Sequence, residues 1–374
     1  MAGEKTAERV RRLIGESGLT QAEFAAKAGL DAPKMSKSLS GVRRFTSLDL
    51  ARIADVGEVS VDWLIGAEPA SPSMAARSSA LASKSSDVAV REAERLAQIR
   101  ADLAFLGYRQ EPSGFVAASL SGRLIDQGRR LAVQARAHAR NQGVDLSEQR
   151  DLAETVEGLF GVDVAIVRLP DGFDGLTYVD EHARLMVIGT SEVPARQRFT
   201  VAHELGHLLA GDDQGLHLDV DLHDDAHKQQ PAEMRANAFA AELLLPEEVL
   251  RTAAAETAWS DTVFARLACR LWVSPSTLAW RLFNLDLIDR RLCDSFRVMT
   301  TGHAAHLAGA VNVLGEWIES ASRPRTPAAL VRGTFQAYAD GNATLRPFAD
   351  LIGVDTATLR HALSETREES PLAS

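Results

Sequence analysis

The sequence predicts a mainly α-helical protein with one small β-sheet, an α+β chain in more than one part. Three observations carry this. Apolar residues recur at helical spacing through most of the chain, as at Val10, Leu13 and Ile14 and again through 88–106 and 122–142. Three short runs rich in β-branched residues, 162–167, 176–179 and 185–188, are separated by Pro, Asp and Gly and read as a three-stranded sheet. A stretch rich in Ala, Ser and Pro, 67–86, has too few large apolar groups for a core and reads as a linker. The expected layout is therefore an all-α unit over 1–66, the linker over 67–86, a mixed domain over 87–290 and a helical region over 291–374.

Each element has local chemistry behind it. In the first unit, Gly18 ends the opening helix. Thr20 and Glu23 have the spacing of a capping box, in which each side chain satisfies a backbone N–H of the other. Asp31 caps the next short helix, with Pro33 in its first turn and Gly41 past its end. Two further helices are expected near 47–55 and 60–65. In the mixed domain a helix over about 195–210 follows the strands, then a polar loop to 230, then a helix over about 231–243.

The chain of 374 residues is 45% hydrophobic and 25% charged, with a formal net charge of −10. These proportions exclude global disorder and fibrous repeats. No apolar run reaches the length of a membrane span, and the charged start lacks the apolar core of a secretory leader, so a cytoplasmic protein without a membrane partner is expected. Cys269 and Cys293 are too few for a disulfide framework. Charge is segregated. Lys27, Lys34, Lys37, Arg43 and Arg44 face a single acid, Asp31, whereas Asp212, Asp213, Asp219, Asp221, Asp224 and Asp225 crowd one later stretch. Two segregated charges suggest two separate tasks.

The chain also repeats itself. TLRPFADLIGVDTATLRHAL from Thr344 aligns without gaps to TQAEFAAKAGLDAPKMSKSL from Thr20, and FARLACRLWVSPSTLAWRL around Phe264 is a looser third copy. All three read as helix, tight turn, helix. The first copy, LTQAEFAAKAGLDAPKMSKSLSG, resembles the helix-turn-helix of the Xre/Cro-type repressor family. That resemblance implies double-stranded DNA as a partner, a homodimer on paired half-sites, and the helix from Ala32 to Leu39 in the major groove. Gln21 would meet a phosphate at a helix N-terminus, Lys34, Ser36 and Lys37 would point outward, and Arg43 and Arg44 would flank the groove. A solvated basic face on an interaction module is the simpler structural alternative. The later copies lack the basic set, and Trp272 and Trp280 in the middle copy read as core.

The most specific pattern is FTVAHELGHLLAG, with His203, Glu204 and His207 as H-E-x-x-H on a helix. Spacing of four residues stacks both imidazoles on one face, where they can share one Zn²⁺. Glu204, one position along, is placed to take a proton from an attacking water and pass it to a leaving amine. No third His lies six residues later, so another ligand is needed. HELGH followed by E-x-x-A-N-x-F-A-x-x-L-L-x-P from Glu233 is similar to the ImmA/IrrE family of bacterial zinc metallopeptidases. The resemblance implies Glu233 as third ligand and Asn237 as a support for a ligand histidine. Glu242 is the rival ligand, on nearly the opposite side of that helix. Arg235 stands where the family often has an acid. Tyr178, His217, His223 and His227 are candidates to stabilise an oxyanion, though loop histidines are usually solvated. The combined resemblances imply a DNA-binding regulator with a zinc endopeptidase domain that cleaves a repressor, itself or a partner. The alternative is a regulator or antitoxin-like protein whose zinc domain senses a ligand without proteolysis.

Overall fold

The computed structural model describes residues 2–17, 19–57, 64, 84–111, 113–118, 121–169, 173–212, 216–220, 231–256 and 258–365. The chain divides into two compact units, Met1–Met74 and Ala75–Ser374. Apart from Leu64, the helix expected near 60–65 lies outside the described residues, as does all but the end of the expected linker.

The first unit contains α1 (Ala2–Glu16), α2 (Gln21–Lys27), α3 (Ala32–Leu39) and α4 (Ser47–Gly57). Val10, Phe24, Met35, Ile53 and Leu64 form its centre, each without solvent exposure. The Thr20–Glu23 capping box is present in full, and the Asp31 carboxylate accepts the Lys34 backbone N–H at 2.7 Å. Between α2 and α3 the chain turns through Gly29 at φ +65°, a left-handed conformation that costs glycine little.

The second unit starts with α5 (Lys84–Phe105), whose first turn takes the last residues of the expected linker. Then come α6 (Leu124–Asn141), α7 (Leu152–Phe160), β1 (Asp163–Val167), β2 (Phe173–Val179), β3 (Arg184–Gly189) and α8 (Pro194–Ala210). The sheet has four strands rather than the expected three. β4 (Leu216–Val220) pairs with β2 inside the stretch expected to be a polar loop, and the order is β1-β3-β2-β4. β1 and β3 are parallel, and the other pairs are antiparallel.

Both faces of the central strands are covered, which explains why they read as unbroken apolar runs. Val164, Ile166, Met186 and Ile188 point to one core with Val201 and Leu205 of α8. Ala165, Leu176, Tyr178, Leu185 and Val187 point to another, with Ala93 and Leu96 of α5. That second core is completed by Leu330 and Ala337 of α16 (Ala328–Ala339), so the C-terminal helices cover the sheet. A buried two-pronged Arg100–Asp163 ion pair, both contacts at 2.6 Å, ties α5 to β1.

α9 (Pro231–Leu244) lies against α6 and α8. Small residues permit this closeness. A Cβ at Gly128 of α6 would sit 2.2 Å from the Arg235 carbonyl oxygen, and one at Gly206 of α8 would sit 3.0 Å from the Phe239 ring. The remaining elements are α10 (Glu247–Glu256), α11 (Asp261–Arg270), α12 (Pro275–Asn284), α13 (Arg290–Phe296), α14 (Thr301–Ala308), α15 (Val311–Ala321), α17 (Arg346–Ile352) and α18 (Thr356–Glu365). The three sequence repeats are the helical pairs α2–α3, α11–α12 and α17–α18. In each, a left-handed residue stands two positions before the residue preceding the second helix: Gly29, Trp272 and Gly353.

Candidate metal centre

The metal-type side chains all come from buried faces of α8 and α9. One helical turn separates His203 from His207, and their Nε2 atoms lie 3.0 Å apart. The close approach at Gly206 brings α9 near enough for Glu233 to complete the group. Its Oε2 is 3.2 Å from His203 Nε2 and its Oε1 is 3.3 Å from His207 Nε2. Donor atoms bound at about 2.0–2.1 Å in a tetrahedral arrangement lie about 3.3 Å apart, so this donor set has the chemistry and spacing to hold a divalent ion. His203 and His207 are fully buried, and Glu233 nearly so.

Each histidine is oriented from behind. His203 Nδ1 is 3.1 Å from Asn237 Oδ1, and His207 Nδ1 is 3.1 Å from Asp212 Oδ2. With a proton on each Nδ1, those nitrogens donate outward and the Nε2 lone pairs face the common point. Asp212 is in turn paired with Arg235. Arg235 thus serves the site indirectly, through Asp212. Burial alone would push the Glu233 carboxyl up, but hydrogen bonds with His203 and His207 hold it well below the usual carboxylate range.

Glu204 has no exposed surface, and its Oε2 accepts a 2.6 Å hydrogen bond from the Thr177 hydroxyl of β2. Gly175 on the same strand leaves room for it: a Cβ there would be 3.2 Å from Glu204 Oε1. A further polar anchor holds α8. The Arg198 guanidinium, fully buried, donates to the carbonyls of Leu146, Ser147, Gln149 and Leu271 at 2.9–3.0 Å. Burial pushes its pKa down to about 9, which still leaves it charged at neutral pH.

The structure therefore brings His203, Glu204, His207, Glu233 and Asn237 together. Glu242 is elsewhere: it pairs with Arg281 and accepts the Glu247 backbone N–H at 3.1 Å. Tyr178 also lies away from the centre. It alternates with Thr177, faces the other core, and its hydroxyl donates to Asp180 at 3.0 Å. His223 and His227 lie outside the described residues. Thr177 and Asp212 are the site residues that sequence reading missed. Strand alternation could have found the first, and the second follows Gly211, where a left-handed φ of +68° turns the chain back at the end of α8.

In the first unit, Gln21, Lys34, Ser36, Lys37 and Arg44 are exposed. Lys34 contacts Asp31 at 2.9 Å. Arg43 is half-buried and engaged within the unit, 2.8 Å from Asp49 and 3.1 Å from the Ser38 hydroxyl, rather than extended into solvent.

Comparison with known proteins finds similarity over the part of the chain that carries this geometry. Residues 159–283 match the IrrE N-terminal-like domain of a peptidase family. The matched span contains the sheet, α8, α9, α11 and all but the last residue of α12. Over 134 residues the chain is 34% identical to the radiation response metalloprotease IrrE of Deinococcus radiodurans, covering 36% of this chain and 40% of that protein. Over 137 residues it is 34% identical to the protein of the same name from Deinococcus deserti, covering 36% of this chain and 47% of that protein. The chain thus spans less than half the length of these relatives.

Proposed function

We propose that this protein is a zinc-dependent endopeptidase joined to a helix-turn-helix DNA-binding unit, and that it regulates transcription by cleaving a repressor, itself or a partner. The observation that carries the reading is the convergence of His203, His207 and Glu233 beside a buried, hydrogen-bonded Glu204. His203, His207 and Glu233 would hold the zinc, which supplies a Lewis acid when bound. Glu204 takes the proton of the water that attacks the peptide carbonyl, then delivers it to the departing amine. Thr177 donates to Oε2 of Glu204 and so fixes the carboxylate's orientation. Asn237 and Asp212 keep both imidazoles in one tautomer and one rotamer.

The DNA-binding part rests on the α2–α3 geometry and the exposed Gln21, Lys34, Ser36, Lys37 and Arg44, with Arg43 alongside. A homodimer would present two such pairs to half-sites about one helical turn apart. No described helix is long and apolar enough to cross a membrane, and the proposed site of action is the cytoplasm.

Glu204→Gln tests the enzyme reading. It keeps the side chain's shape and removes the base. Zinc should remain at one per chain while cleavage of co-encoded repressors and of the chain itself falls by about 10²–10⁴. Unchanged regulation in cells with Glu204→Gln, together with lost regulation in His203→Ala, would replace the peptidase by a metal or ligand sensor.

A further inference from the structure

A cavity lies away from the metal centre, between the α11–α12 turn and the α14–α15 pair. Its volume is about 250 Å³. The walls are Trp272, Val273, Ala304, Ala305, Leu314 and Trp317, with Val313 at the mouth and Cys269 beside Trp272. We propose that this cavity is a binding site for a small aromatic hydrocarbon-like molecule.

Size and lining set the ligand class. Apolar cavities of about 150 Å³ already accept benzene, and a pocket without convergent polar groups rewards no charged or strongly hydrogen-bonding ligand. Two indoles bound this cavity, 5.2 Å between ring centroids at 73°, an edge-to-face pair that offers both a ring face and a ring edge to a third aromatic ring. The polar edge of Trp272 is already satisfied: its Nε1–H donates to the Glu148 carbonyl at 2.9 Å. Only its carbons remain for a ligand.

Backbone conformation gives an independent argument. Trp272 has φ +53°, where the two equivalent turns of this chain use glycine. A bulky residue in the left-handed region costs about 1–3 kcal/mol and persists only where its surroundings hold it. Here they do. The Trp272 indole is tied to Glu148, and the adjacent Leu271 carbonyl accepts Arg198 Nη1 at 3.0 Å. The aromatic wall is thus pre-formed and fastened from behind, as small-molecule pockets usually are. Arg198 belongs to α8, so an occupant would rest on a segment anchored to the helix of the metal ligands. The site itself stands whether or not that centre turns over peptide.

Benzene is the probe. The full zinc-loaded chain is titrated with it, binding is followed by ligand-observed NMR, and the rate of Cys269 alkylation by iodoacetamide is measured in parallel. Cys293 is fully buried, so native-state alkylation reports Cys269. Saturable binding that slows Cys269 alkylation is the expected result. Val313→Trp, which blocks the mouth from a position 39% exposed, should remove that protection, while Val354→Trp, exposed on another turn, should leave it intact. No saturation up to the solubility of benzene, or saturation with undiminished alkylation, overturns the proposal. So does protection that survives in a folded Val313→Trp protein.

Discussion

The candidate metal centre between α8 and α9 and the basic face of α2–α3 are built in opposite ways. The candidate ligands at the first are all buried, and both histidines are held from behind, His203 by Asn237 and His207 by Asp212. At the second, Gln21, Ser36, Lys37 and Arg44 stand in solvent, and Lys34 has a neighbour on its own helix cap. A desolvated site gains strength from each fixed dipole but fails when one group is removed. An exposed cationic face works by summed charge, with little lost per residue. The difference predicts steep responses to single substitutions in one place and shallow ones in the other.

The largest effect belongs to the ligands. His203→Ala or Glu233→Ala should abolish stoichiometric zinc, measured by elemental analysis of dialysed protein. Glu242→Ala is the matched control. It should keep zinc and instead lose several kcal/mol of stability, since it strands the largely buried Arg281 guanidinium. Full zinc in Glu233→Ala with loss in Glu242→Ala would transfer the ligand role to Glu242 and break the comparison at its strongest point.

One step out, the response should be graded. Asp212→Ala removes the acceptor of His207 Nδ1 and releases Arg235. Loss of such a supporting group typically costs 10–100-fold in metal affinity. Competition with a chelator of known affinity measures this. Zinc affinity unchanged by Asp212→Ala would mean that burial alone, without the hydrogen bond, fixes the ring.

How much of this was legible follows the range of the interactions. The spacing of His203, Glu204 and His207 is local, so helix geometry alone places them on neighbouring faces. Caps at Thr20 and Asp31 are equally local and visible. Thr177 meets Glu204 across 27 positions in the chain, a contact set by sheet order and not by any short pattern. Tyr178 drew attention by its chemistry, yet a strand alternates, and one position decides which core a side chain enters. β4 does alternate, as Leu216-His217-Leu218-Asp219-Val220, but its acidic surroundings made it read as loop. The repeat was legible as a shape. That Trp272 takes the left-handed position held elsewhere by Gly29 and Gly353 was not, because nothing local favours it there.

That turn gives a smaller test. Trp272→Gly relieves left-handed strain worth about 1–3 kcal/mol. It also deletes a half-buried indole, its contact with Trp317 and its hydrogen bond to Glu148. Large aromatic deletions cost about 3–5 kcal/mol. The balance predicts a net loss of about 2 kcal/mol in denaturant unfolding. A gain in stability would show that tertiary contacts do not hold Trp272 in place.

The smallest effects are expected on the basic face, and they test its mode of action. Lys34→Ala and Lys37→Ala each remove one exposed cation from α3. Lys34 is partly neutralised by Asp31 at 2.9 Å, so Lys37 should contribute more. If each lysine contacts a phosphate, the slope of log affinity against log salt should fall by about 0.9 per substitution, uniformly across DNA sequences. Ser36→Ala carries no charge change and should leave the slope alone while altering preference among sequences, if α3 lies in the major groove. Full-length protein with zinc bound is titrated against duplexes from its own upstream region at several salt concentrations. A salt slope unaffected by both lysines, or no binding even at low salt, would make α2–α3 a protein-interaction surface rather than a DNA-binding one.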